Sequence, residues 1–190
     1  MSKVLMGLEY PIFAPIKSEG TTGYPVYDTI TVIGELITAN LTVSARSGEL
    51  YSDNALNIKI SEWASASLAM DTDGIDDAVA EAIFGCTVTD GEVVYKSSDV
   101  APFGGLAYYR EMVDKTGKHY YQGVYFPKVQ AVLGNDNAST KGSSLSFQTR
   151  NTTFNIMEAN DGIWQVTETF DTESEAKTWI TSKLTASTGG

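Results

Sequence analysis

The sequence predicts a mainly β fold with one short flanking helix and a C-terminal helix. Three observations carry this. Ser and Thr make up 38 of the 190 residues and are scattered through apolar stretches, as in strands with one wet face. Apolar residues recur at every second position over long windows, Ala39, Leu41, Val43 and Ala45 alternating with Asn40, Thr42, Ser44 and Arg46. Helical spacing is confined to two short windows, around Val79 and Trp179.

Residues 1–27 hold Pro11, Pro15, Pro25, Gly20 and Gly23 and predict an extended arm unable to fold alone. A β domain over 28–170 follows, and then a C-terminal helix and tail over 171–190. Ile30 and Val32 alternate with Thr29 and Thr31, and after Gly34 the phase changes, which predicts a bulge near 34–38. Turn residues in 47–54 predict a loop, and the period of two resumes from Leu56 to Met70. The expectation is a long hairpin of 28–46 with 55–70. Ile75, Val79 and Ile83 at helical spacing, ended by Gly85, predict a helix over 75–84.

Strands follow at about 92–96, 104–113, 118–126 and 128–133, with Asp114-Lys115-Thr116-Gly117 turning one hairpin. A polar loop spans 134–144. A second long hairpin of 145–158 with 162–170 is expected to turn on Asn160-Asp161-Gly162. Thr172 with Glu175 opens the last helix, on which Ala176, Trp179, Ile180 and Leu184 share a face. The tail from Thr185 is expected to fray.

Charge limits the function. With 24 acidic against 13 basic side chains the net charge is −11, which argues against gripping phosphates, because each such contact needs a cation to displace counterions. No window approaches the ~18 apolar residues of a membrane span, so a soluble protein with no membrane partner is expected. Residues 1–7 lack the pattern of a secretory leader, which predicts folding in the cytosol. Cys86 and His119 are the sole residues of their kinds, too few for a disulfide or a Cys/His zinc site.

Asp71, Asp73, Asp76 and Asp77 lack the calcium-loop spacing, since Gly74 comes two positions early, and they read as helix-capping carboxylates. His119 has no nucleophile beside it, and Cys86 has no nearby cation to activate it. No nucleophile, base and orienting group can be nominated together, so no enzyme, metal or cofactor is expected. The aromatic residues Tyr108, Tyr120 and Trp63 leave one rival open, a carbohydrate-binding or adhesion module.

Several segments, taken in order, resemble the major tail (tail tube) proteins of long-tailed bacteriophages of Gram-positive hosts. They are Leu50-Tyr51-Ser52-Asp53, Ala82-Ile83-Phe84-Gly85, Asp99-Val100-Ala101-Pro102-Phe103 and Gly117-Lys118-His119-Tyr120-Tyr121, then Phe126-Pro127, Thr140-Lys141-Gly142, Phe147-Gln148-Thr149 and Asp161-Gly162-Ile163-Trp164. The set spans about residues 1–170, while Arg150-Asn151 stands where the family has proline and threonine.

The resemblance implies a ring-forming β-sandwich or barrel of the tail-tube type, found in the virion tail and assembled in the host cytoplasm. Its hexameric rings would stack into a conduit for double-stranded DNA during host cell entry, without binding it specifically. Tape measure, tail terminator and distal tail proteins would be the other partners. A tube of a phage-derived bacteriocin or secretion apparatus is the same object with another cargo.

If each subunit gives four strands to a six-fold ring, about 24 strands at ~4.8 Å spacing and ~36° tilt make a barrel roughly 45 Å across, leaving about 25–30 Å inside. A duplex about 20 Å wide passes with water around it. The channel residues would be uncharged and polar: Asn40, Thr42, Ser44, Asn57 and Ser61 on the first hairpin, Thr167 and Thr169 on the last. Arg46 and Lys59 share that phase and are expected to pair with acids or sit at a rim. Ring-to-ring contacts are expected from Tyr10, Phe13, Leu50, Tyr51 and Asp53, in the arm and the 47–54 loop, and from the C-terminal segment.

Overall fold

The chain runs, in order, through β1 (Lys3–Ser18), β2 (Val26–Tyr27), β3 (Thr31–Val32), β4 (Leu36–Ser52) and β5 (Ala55–Thr72), then α1 (Asp77–Phe84). There follow β6 (Thr87–Thr89), β7 (Glu92–Val94), β8 (Phe103–Asp114), β9 (His119–Val132), β10 (Arg150–Met157), β11 (Val166–Phe170) and α2 (Glu173–Leu184). The structure is a computed structural model describing residues 2–52, 55–133 and 149–185, with side chains outside 50–57. The expected 134–144 loop, the start of the 145–158 strand and the tail past Thr185 lie outside the described residues.

Nine strands make one antiparallel sheet in the order β2-β1-β8-β9-β10-β5-β4, with β3 also on β1 and β11 also on β9; β6 and β7 pair separately. Among the described residues the fold is mainly β, with two helices. The sheet curls. β3 pairs with β1 near one end of the strand order, and after only residues 33–35 the chain begins β4 at the other end. Ile33 donates its N–H to Pro11 O (2.9 Å), and Glu35 donates to Asp73 Oδ1 (2.8 Å), so this corner ties both ends together. The bulge expected near 34–38 is present, Leu36 pairing with Thr72 but Thr38 with Asp71, and beside it the chain switches strands at Gly34. Its φ of 138° suits glycine, and a Cβ there would meet Gly74 O at 2.9 Å.

The concave face buries Phe13, Leu68, Met70, Leu106, Phe126, Val129 and Phe154 with Ile83 of α1. Part of the convex face buries Ile12, Tyr27, Ala107, Tyr109 and Tyr125 under Ala176, Ile180 and Leu184 of α2. Each such fully buried Ile or Leu contributes about 1.5–3 kcal/mol. α2 starts in the expected place because Thr172 and Glu175 form a reciprocal capping box.

Four expectations are corrected. Residues 1–27 are not a free arm: β1 pairs with β8 from Lys3↔Asp114 to Pro15↔Gly104, and Pro11 to Ala14 are buried. The 47–54 loop is strand as far as Ser52, because Ile58 and Ile60 extend the alternation of β5 and the ladder runs on to Ser52↔Ala55. The 118–126 and 128–133 strands are one strand through Pro127, whose missing N–H falls at the register shift against β8. Finally, β10 and β11 do not pair with each other. Both lie along the same edge of β9, Met157↔Lys128 followed by Val166↔Tyr125, with 158–165 looped out between them.

Candidate functional site

The convex face divides in two. Where β1, β8, β11 and the first half of β9 present apolar side chains, α2 covers them. The bulge at Pro127 then exchanges the faces of β9: Val124 and Phe126 point into the concave core before it, and Val129 and Ala131 after it. The convex positions become Lys128, Gln130 and Val132, and polar residues continue outward over β10, β5 and β4. Register places Thr42, Ser67, Asn155 and Gln130 side by side across four strands. Asn40, Ala69, Thr153 and Val132 form the next row. A groove of about 480 Å³ runs over this wall, lined by Thr42, Ser44, Ser65, Ser67, Gln130 and Asn155 together with Ala66, Ile156 and Met157.

Two charged side chains on the wall, Asp71 and Lys128, are engaged. Asp71 accepts hydrogen bonds from Thr38 Oγ1 (2.6 Å) and Asn151 Nδ2 (2.8 Å), and these hold its carboxyl below the usual range, Thr38 contributing most. Lys128 Nζ lies 2.6 Å from Glu19 Oε1. Arg46 stands directly across from Glu62 in the ladder. Lys59 pairs with Glu49 at 2.8 Å.

Of the expected channel residues, Asn40, Thr42 and Ser44 lie together on this wall. Ser61 does not. A register shift sets Ser44 against Ser65 but Ala45 against Trp63, so the extra residue turns Lys59 and Ser61 to the other face, away from Arg46. Thr167 and Thr169 lie opposite Val124 and Gln122, on the concave side. The Asn57 side chain is outside the described residues. Ser65, Ser67, Thr153, Asn155 and Gln130 were missed; their signal was polar alternation in β5 and β10, which register alone brings beside Thr42.

Of the residues expected to join rings, Phe13 is buried in its own subunit, its ring centroid 6.2 Å from that of Phe154. Tyr10 packs under Lys177 of α2, with the ammonium 4.1 Å from the ring centroid. The side chains of Leu50 and Tyr51, and the whole of Asp53, lie outside the described residues. Beyond Ala45 and Trp63 the β4–β5 ribbon leaves the body, and every described side chain from Leu41 to Glu49 and from Ile58 to Glu62 is exposed. The outer edge of β4 has no paired strand among the described residues, leaving a 17-residue run of backbone donors and acceptors.

Tyr108 is buried, Tyr120 carries Lys3 over its ring at 3.5 Å, and Trp63 stacks on Trp164. His119 Nδ1 meets Glu111 Oε1 at 2.5 Å, and Cys86 is buried. Among the described residues, no three His, Cys, Asp or Glu side chains gather as a metal site. No protein-family model matches the chain, and no curated protein matches it.

Proposed function

We propose that this chain is a structural virion protein, the major tail tube subunit of a long-tailed phage, and that it closes into hexameric rings stacked as a DNA conduit. The observation that carries the reading is the β4–β5 ribbon: a long, exposed hairpin with a bare outer edge that a neighbouring subunit would complete. The four-strand polar wall supports it, since four strands per subunit is the number a 24-strand channel of about 45 Å needs. The wall's uncharged amides and hydroxyls, on a chain of net charge −11, suit a surface that wets a polyanion without holding it.

Shortening the hairpin tests this. Replacing residues 46–62 by Asn-Gly joins Ala45 to Trp63, which already face each other, through a two-residue turn. The expected product is a folded, soluble chain that forms no tube. Normal tubes from this variant would overturn the reading.

A further inference from the structure

We infer that the slot between the β1 and β4 edges of the curled sheet binds a small monocarboxylate with an apolar body, its carboxylate held by Arg110 and the Tyr108 hydroxyl. The inference is independent of self-assembly.

β1 and β4 approach each other across the curl without pairing: among the described residues β1 bonds β8, β2 and β3, and β4 bonds β5 alone. Between them remains a slot of about 180 Å³, lined by residues 5–8 of β1, Ala39 of β4, and Tyr108 and Arg110 of β8. The register shift between Leu5↔Met112 and Gly7↔Glu111 leaves Met6 as an extra residue, and this bulge gathers Leu5, Met6 and Leu8 along one wall. Leu8 stands directly opposite Arg110 in the ladder.

The two polar side chains in the slot are donors that lack an acceptor. Arg110 donates its Nε–H to Gln122 Oε1 at 2.8 Å, which orients the guanidinium and leaves both Nη groups without a partner among the described residues. The chain has 24 acidic side chains, yet among the described residues none forms an ion pair with Arg110. Tyr108 is 4% exposed, and its hydroxyl has no hydrogen-bond partner among the described residues. It is not sealed in the core either, since the side chain lines the slot. Burial raises the Tyr108 pKa and the charge of Arg110 opposes the rise, so the phenol keeps its proton and stands within the field of the guanidinium.

A nearly buried hydroxyl left unmet is costly, and a carboxylate, which only accepts, meets both donors at once. The walls and the volume set the rest of the ligand. Leu5, Met6, Leu8 and Ala39 offer apolar contact to its body. A dry cavity of about 150 Å³ takes benzene, so this slot suits an acid the size of benzoate.

The test is isothermal titration calorimetry of the full native chain at pH 7 and low salt with three probes: benzoate, its neutral isostere benzamide, and inorganic phosphate. Benzoate is expected to saturate one site with a dissociation constant on the order of 1 mM or tighter, at least tenfold below that of benzamide or phosphate. Arg110→Gln is expected to weaken benzoate binding at least tenfold and Tyr108→Phe about threefold, each with an unchanged far-UV spectrum. The comparison of probes needs no variant. Benzamide or phosphate binding as tightly as benzoate, or no saturable binding of benzoate, overturns the site. Equal benzoate affinity in the native chain and a folded Arg110→Gln chain overturns it as well.

Discussion

The indole of Trp63 lies on that of Trp164, ring centroids 5.8 Å apart and planes 20° from parallel. Trp63 stands next to the bulge where the β4–β5 ribbon leaves the body, and Trp164 comes from the 158–165 loop between β10 and β11. The looped-out segment therefore ends in a brace under the hairpin.

Trp164→Ala is expected to destabilise the fold by about 2–3 kcal/mol, combining lost burial at a half-buried site with a lost aromatic pair. Urea denaturation measures this as a lower midpoint at unchanged slope. Trp164→Phe should recover most of the loss, and equal losses in the two variants would contradict the brace.

Gly123 sits where α2 crosses β9. A Cβ at this position would stand 2.6 Å from Trp179 Cε3 and 3.1 Å from Ile180 Cγ2. Gly123→Ala is predicted to cost about 1–3 kcal/mol by overpacking. The strain should disappear in the background of Trp179→Ala, so a double-mutant cycle is expected to be strongly non-additive. Additive losses would place the strain elsewhere.

Asp114 holds the β8–β9 turn. Its Oδ1 accepts the Thr116 hydroxyl (2.6 Å) and N–H (2.8 Å) and the Lys118 N–H (3.1 Å), and these bonds, led by the hydroxyl, bring its pKa down to about 2. The bonded form is the ionised one. Its stabilisation is complete above the ordinary value of 3.8 and is lost as pH falls towards 2. Asp114→Asn should be less stable than the native chain at pH 7, and the gap should close between pH 4 and pH 2 in a denaturation series. A gap independent of pH would refute the assignment.

Thr42 lies in the middle of the polar wall. Thr42→Lys is expected to leave tube assembly intact and make the channel hold duplex DNA at low salt. Retention should fall steeply as salt rises, because a cation on the wall releases phosphate counterions. Retention equal to that of native tubes would mean that this wall does not face the channel.

Local chemistry was legible in the sequence; long-range register was not. Thr172 with Glu175 announced α2, and Gly85 announced the end of α1, because caps depend on a few adjacent residues. Asn160-Asp161-Gly162 also turns as expected, with Asp161 and Gly162 at positive φ and Ala159 bonded to Ile163. That turn closes a loop, not a hairpin, because β10 and β11 both find β9 a better partner than each other. The polar wall was half visible: Asn40, Thr42 and Ser44 stand on it, yet Ser61 was assigned to the wrong face. A bulge made of Ala64 and Ser65 carries no distinctive residue, and one extra residue reverses everything beyond it. The burial of Phe13 was hidden by flanking prolines that resemble a linker but sit within β1.

The most direct test of the account is negative-stain electron microscopy of the purified full-length chain at high concentration. The account predicts hollow filaments of stacked rings with a central channel about 25–30 Å wide. Monodisperse particles of single-subunit size, unchanged by concentration, would contradict it.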